Sequence, residues 1–205
     1  MSDELLMIKK GLMNGNKRFI MNKLRSKDSY DKLRRELYEK GQFPKAVVIT
    51  CSDSRVVPEF IFDVELGELF VIRNAGNIVD KSVIENVEFA VSHLGARYIL
   101  IMAHEKCGAV AEAVEKIKVG EKLHGFIKPM ENAINNVRLK NNNILISDLA
   151  SRVEEENAEE GVKKLLSSEM LSKLYREEKI AIDKAKYFLS TGEVKVLQSN
   201  NASSR

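Results

Sequence analysis

The sequence predicts an α/β fold: a central, mainly parallel β-sheet flanked by helices, with an N-terminal helical arm and an antiparallel closing strand. Three observations carry this expectation. Ala46–Cys51, Leu69–Arg73 and Tyr98–Met102 are short, continuously apolar runs rich in β-branched residues, as strands buried on both faces require. The stretch between the last two has the periodicity of a helix, and strand–helix–strand with buried strands implies right-handed parallel crossovers. The 205-residue length favours one domain over 1–205, read as an arm at 1–44, an α/β core at 45–198 and a frayed tail at 199–205.

The elements follow in order. Leu5, Leu6, Ile8, Leu12 and Met13 recur at helical spacing, and Leu33, Leu37 and Tyr38 repeat the pattern after Asp31. Gly41 and Pro44 end that register before the first strand. Between the second and third strands, Val83, Val87, Ala90, Val91 and Leu94 form one helical face that Gly95 terminates. Further helices are expected from Gly108 to about Val119, from near Phe126 to Lys140, and as one helical region from Asp148 to Lys179. Asn141-Asn142-Asn143 reads as a polar break. Ile180–Ile182 and Tyr187–Leu189, then Thr191-Gly192 and Val194–Leu197, suggest a closing strand or hairpin.

Charge and composition exclude several classes. The 33 basic and 30 acidic residues leave a formal charge of +3, so nucleic acid is not an expected partner. The first 45 residues are locally basic, and Glu154-Glu155-Glu156 with Glu159-Glu160 is acidic; both read first as solvated helix faces, with a contact between them as the lesser reading. No stretch is apolar enough to span a membrane, and the start lacks the pattern of an export signal, so a cytoplasmic protein is expected. Two cysteines are too few for a disulfide framework and point to a reducing compartment.

The chemistry-bearing residues sit at strand ends. In open parallel sheets, binding groups collect beyond the carboxyl ends of strands. The first strand runs into Cys51-Ser52-Asp53-Ser54-Arg55 and the third into His104-Glu105-Lys106-Cys107-Gly108. Cys51, His104 and Cys107 are ligand types that Zn²⁺ prefers, and three protein ligands leave a fourth tetrahedral position open, as in catalytic sites. The competing reading is two reduced core thiols beside a hydrogen-bonded histidine. Asp53 and Arg55 can point the same way in an extended segment and pair, as site residues or as a structural salt bridge. His93, late in a helix, reads as capping or packing, and His124 as a surface residue. Ser52 and Ser54 lack a histidine placed to activate them.

Together, Cys51-Ser52-Asp53-Ser54-Arg55-Val56 and His104-x-x-Cys107-Gly108 resemble the β-class carbonic anhydrases. Gly15-Asn16-Lys17-Arg18-Phe19, Gly41-Gln42-x-Pro44, the stretch from Gly67 to Asn77, Tyr187 and Thr191-Gly192 extend the resemblance from about Leu12 to Leu197. It implies one Zn²⁺ per chain held by Cys51, His104 and Cys107, and reversible hydration of CO₂ to bicarbonate and a proton by zinc-bound hydroxide. It implies that Asp53 accepts a hydrogen bond from that hydroxide, or occupies the fourth position in a resting form, and that Arg55 draws Asp53 off the metal. Gln42 matches a family glutamine that reaches a neighbouring subunit's site to orient substrate, and Gly76 lets the backbone approach the cleft. A homodimer or dimer-based tetramer follows, with the N-terminal helices wrapping a partner.

The sequence departs from the family at Ala103, often Gly there, and in the short segment after Asn77, which lacks the aromatic-containing loop of the plant-like subgroup. Two other functions fit the same residues. One is hydrolysis of a CO₂-like sulfur compound, COS or CS₂; the other is a non-catalytic zinc protein serving assembly.

Overall fold

The computed structural model describes residues 1–26, 28, 30–140 and 145–198. Within them lie eight α-helices and five strands. In chain order these are α1 (Asp3–Ile20), α2 (Tyr30–Lys40), β1 (Ala46–Cys51), α3 (Pro58–Ile61), β2 (Leu69–Asn74), α4 (Lys81–His93), β3 (Tyr98–His104) and α5 (Gly108–Lys118). They are followed by α6 (Glu131–Lys140), α7 (Ile146–Leu165), α8 (Glu169–Arg176), β4 (Ala181–Tyr187) and β5 (Val194–Leu197). Short 3₁₀ turns occupy Ala75–Asn77 and Gly125–Met130. No helix among the described residues is long and apolar enough to cross a membrane.

The sheet order is β2-β1-β3-β4-β5, parallel throughout except for the antiparallel β4–β5 pair. Side chains alternate along each strand, so one sequence feeds two cores. Val47, Ile49, Ile99, Ile101 and Ile182 pack with α4, α7 and α8. Ala46, Val48, Tyr98, Leu100, Met102 and Ala185 pack on the other face against Leu5 and Leu12 of α1 and Ile61 of α3. Every residue of β1 and β3 is buried, which is why both read as unbroken apolar runs. The chain leaves β1 through α3 on one face and leaves β2 through α4 on the other. Strand order therefore reverses between β1 and β3, and their carboxyl ends open a crevice there.

The Gly15–Phe19 segment acquires a physical account. A side chain at Gly15 would collide with the Phe62 carbonyl, so only glycine lets α1 close on the end of α3. Asn16, buried beside it, donates to Ile61 O (3.2 Å) and Gly192 O (2.8 Å) and accepts from Val194 N (2.9 Å). Arg18 pairs with the fully buried Asp63. The first half of the basic arm thus packs one face on its own sheet. Among the described residues, cations of the arm meet Asp63, Asp183 and Glu68 of the same chain. By contrast α2 buries none of its residues.

One expectation is corrected: the Leu69–Arg73 run is a half-buried edge strand, β2, not one buried on both faces. Two others are refined. The region 148–179 is two helices: Ser168 caps α8 by accepting from Leu171 N, ending the α7 register. The closing hairpin is present: β4 runs unbroken through Lys184 and Lys186, which are buried and paired with α7, and turns back antiparallel as β5. Short α3 has no clear apolar periodicity and was not anticipated. The Asn141–Asn143 break and the 199–205 tail lie outside the described residues.

Candidate metal centre

Cys51 is the last residue of β1 and His104 the last of β3, so both stand at the carboxyl ends of adjacent parallel strands, at the crevice. Beyond His104 the chain turns through Lys106, whose φ of 55° is left-handed, and returns Cys107 to the same point as the N-cap of α5. The ligand atoms of Cys51, His104 and Cys107 all lie within 4.8 Å of one another, and all three residues are buried. The two sulfurs are 4.0 Å apart.

The chemistry of this set fits a metal ion. His104 Nδ1 lies 2.9 Å from the Glu105 carbonyl, which can only accept, so Nδ1 carries the proton and Nε2 the lone pair. Nε2 is buried with no hydrogen-bond partner, a costly state for an imidazole nitrogen unless a cation completes it. The Cys107 thiol 4.0 Å away, opposed by burial and helped by His104 and the Gly76 N–H, favours a thiolate at Cys51 by lowering its pKa from the ordinary thiol value. Cys107 moves the other way, because its neighbour Cys51 and then burial disfavour a second negative charge. Burial opposes charge on His104, yet Cys51 and Asp53 raise its pKa above the ordinary histidine value. A dication would relieve this arrangement by replacing the shared protons.

Asp53 stands apart from the three. Its Oδ2 is 3.9 Å from His104 Nε2, and Arg55 grips both of its oxygens, with Nε at 2.9 Å and Nη2 at 2.7 Å. That guanidinium, outweighing partial burial, holds the carboxyl well below the usual carboxylate range. The predicted pairing of Asp53 with Arg55 is therefore present, and it lies at the mouth of the crevice. Gly76 adopts φ 75°, and a Cβ there would overlap the Met130 methyl. Its N–H reaches Cys51 Sγ at 3.3 Å. Gln42 is exposed, in the connection between α2 and β1. His93 stacks on Phe89 with ring centroids 5.1 Å apart, and His124 is exposed.

The sequence profile of the family described as carbonic anhydrase matches residues 46–194. The fold also aligns with the β-carbonic anhydrase CcaA at a TM-score of 0.74, with 27% identity over 93% of this chain and 95% of that one. The chain belongs to the β-carbonic anhydrase family. The β-carbonic anhydrase CafA of Aspergillus fumigatus aligns at a TM-score of 0.68, with 28% identity over 82% of this chain and 83% of that one. Among curated relatives, a carbonic anhydrase of Mycolicibacterium smegmatis is 38% identical over 120 residues, covering 58% of this chain and 57% of that protein. A carbonic anhydrase of Pseudomonas aeruginosa is 53% identical over 75 residues, covering 34% of each. The chain thus spans little more than half the length of the first of these relatives.

Sequence reasoning missed three contributors to this β-carbonic anhydrase centre. Arg73 donates to Cys51 O (3.3 Å) and Asp53 O (2.9 Å), bracing the turn between them. Glu154 accepts from the backbone N–H of Cys107 (3.1 Å), and Asn157 donates to Gly76 O (2.9 Å). Arg73 lay inside a motif already singled out. The two α7 residues carried no signal, since an acidic helix segment looks like a solvated face. Glu154 and Glu156 are in fact buried, and the solvated reading of the run is wrong for them.

Proposed function

We propose that this protein is a zinc-dependent carbonic anhydrase, hydrating CO₂ reversibly to bicarbonate and a proton at Cys51, His104 and Cys107. The observation that carries the reading is the convergence of those three ligand atoms within 4.8 Å, with Asp53 beside them and turned to Arg55. Two thiolates and one imidazole make a donor set that suits zinc and matches its charge. Bound there, zinc supplies hydroxide near neutral pH, the role it is known for in three-histidine carbonic anhydrases.

The chain's own residues do the orienting. Asp53, kept ionised by Arg55, can only accept hydrogen bonds. A water in the crevice must then donate its O–H to Asp53 and turn an oxygen lone pair towards the substrate carbon. Arg55 is the group that keeps Asp53 from closing the metal centre. Gly76 brings its backbone N–H to the Cys51 sulfur, and a Cβ there would strike the buried Met130. Among the described residues no other His/Cys/Asp/Glu cluster offers a metal site.

Gln42 belongs to the same reading through a second subunit. It sits between two exposed aromatic neighbours, Tyr38 at 89% exposure and Phe43 at 68%, on a segment that its own core leaves uncovered. Exposed aromatic groups of this kind favour a protein contact. We assign a homodimer or dimer-based tetramer, with Gln42 entering the neighbouring site, in a reducing, cytoplasmic setting that keeps the thiols free.

Metal analysis combined with stopped-flow CO₂ hydration, on wild type and Cys107→Ser, tests the proposal. The expected result is one zinc per chain and rapid hydration, both lost in the variant. A wild type without zinc, or a fully active variant, overturns it. One zinc per chain with COS or CS₂ hydrolysis and no CO₂ hydration reassigns the substrate, and zinc with none of these activities leaves an assembly protein.

A further inference from the structure

The two sulfur ligands come from different parts of the chain, Cys51 ending β1 and Cys107 opening α5. One face of α7 touches the backbone that supports each of them. Glu154 Oε1 accepts from the Cys107 N–H at 3.1 Å. Three residues on, Asn157 Nδ2 donates to Gly76 O at 2.9 Å, and the Gly76 N–H points at Cys51 Sγ at 3.3 Å. Residues three apart share a helix face, so both bonds leave α7 in the same direction. Gly161, a further turn along, already brings Ile101 and Val79 to within 3.0 Å of where a Cβ would stand, so α7 lies close against β3 and the segment after Gly76.

We infer that Glu154 and Asn157 are positioning residues for the metal centre, each fixing one of the two cysteine ligands from α7. This rests on the zinc reading above. Glu154 holds the Cys107 peptide, and with it the direction in which Sγ leaves the N-cap. Asn157 holds the 75–77 turn so that its N–H meets the Cys51 sulfur, setting one side of that thiolate. The charge of buried Glu154 is met by Lys186 of β4 at 2.9 Å, itself bonded to Ser151 O (3.0 Å) and Ser151 Oγ (2.8 Å). The buried lysine thus makes a carboxylate tenable under the metal centre, where an unpaired one would be costly. The acidic run is in this respect part of the site, although its sequence looks like surface.

The test separates positioning from mere stability. Glu154→Met combined with Lys186→Met removes the acceptor and the buried ion pair together; Glu155, which Lys186 also reaches at 3.4 Å, is part-exposed and is left to solvent. Asn157→Leu removes only the donor, and carries the test independently of whether the first variant folds. Each is measured for apo-protein thermal unfolding, Zn²⁺ affinity by chelator competition, and the visible absorption of the Co²⁺-substituted protein. Outer groups of this kind typically contribute about 10–100-fold in metal affinity. The expected result is a loss of that order in each variant that folds, with an altered Co²⁺ spectrum and a cooperative apo transition retained. In Glu154→Gln, which keeps an acceptor oxygen, affinity and spectrum should return towards wild type. Folded variants with wild-type affinity and spectrum overturn the inference while the zinc reading stands. A wild type that binds neither Zn²⁺ nor Co²⁺ overturns both.

Discussion

Arg55 holds Asp53 through both carboxylate oxygens, at 2.9 and 2.7 Å, and adds its own backbone N–H to Oδ1 at 2.9 Å. This three-bond grip favours the ionised carboxylate and fixes its direction beside His104, whose Nε2 is 3.9 Å from Asp53 Oδ2.

Because neither residue is a ligand in the proposed centre, Asp53→Asn and Arg55→Ala should keep their zinc. Their kcat/KM for CO₂ hydration should fall about 10²-fold, the scale set by misplacing one orienting group. Metal content and stopped-flow rates on the same preparations check this. Wild-type rates in Asp53→Asn would remove Asp53 from the mechanism.

Gly76→Ala meets two penalties. The left-handed backbone at φ 75° costs a Cβ-bearing residue about 1–2 kcal/mol. The overlap with Met130 adds about 1–3 kcal/mol of overpacking. Chemical denaturation should show a midpoint shift of the summed size, and Gly76→Ala with Met130→Ala should not recover the backbone share.

Asn16 ties α1 to α3 and to the β4–β5 hairpin by three hydrogen bonds. At about 0.5–1.5 kcal/mol each, Asn16→Ala should cost about 1.5–4.5 kcal/mol. A loss below 1 kcal/mol by equilibrium denaturation would show that the hairpin is held by apolar packing alone.

Tyr98 is fully buried and donates to Asp183 at 2.7 Å. Burial, then the Asp183 charge, pushes its phenol far above the ordinary value of 10.0. The folded state therefore keeps this proton when the unfolded chain has lost it. The contribution is fully present below about pH 10 and is lost above it, at about 1.4 kcal/mol per pH unit. The stability advantage of wild type over Tyr98→Phe should shrink with that slope between pH 10 and 11. Parallel stability curves for the two proteins across that range would refute it.

If Gln42 serves a neighbouring subunit, its flanking aromatics must be covered in solution. Sedimentation at micromolar concentration should show a dimer or larger species, and Tyr38→Glu with Phe43→Glu should shift it towards monomer. A wild-type monomer would take Gln42 out of the site.

The sequence alone determined the parts whose physics is local. Fully buried strands need unbroken apolar runs, so β1 and β3 were visible, and with them the strand ends that carry Cys51 and His104; the half-buried edge strand β2 showed through its apolar run as well. Helical periodicity and a glycine stop marked α4. The ligand types and the Asp53–Arg55 spacing named a chemistry, which the convergence of three ligand atoms within 4.8 Å then gave a place. What only the tertiary structure decided is how polar groups are matched across long separations. Lys184 and Lys186 interrupt an apolar pattern, so β4 read as two fragments; with their α7 partners 25 to 32 residues away they are interior residues of one strand. Glu154 is 47 residues from the Cys107 peptide it supports, and Asn157 is 81 from Gly76. A buried charge is tolerable only when its partner is in place, and that partner is set by the packing of α7 on the sheet rather than by any local pattern.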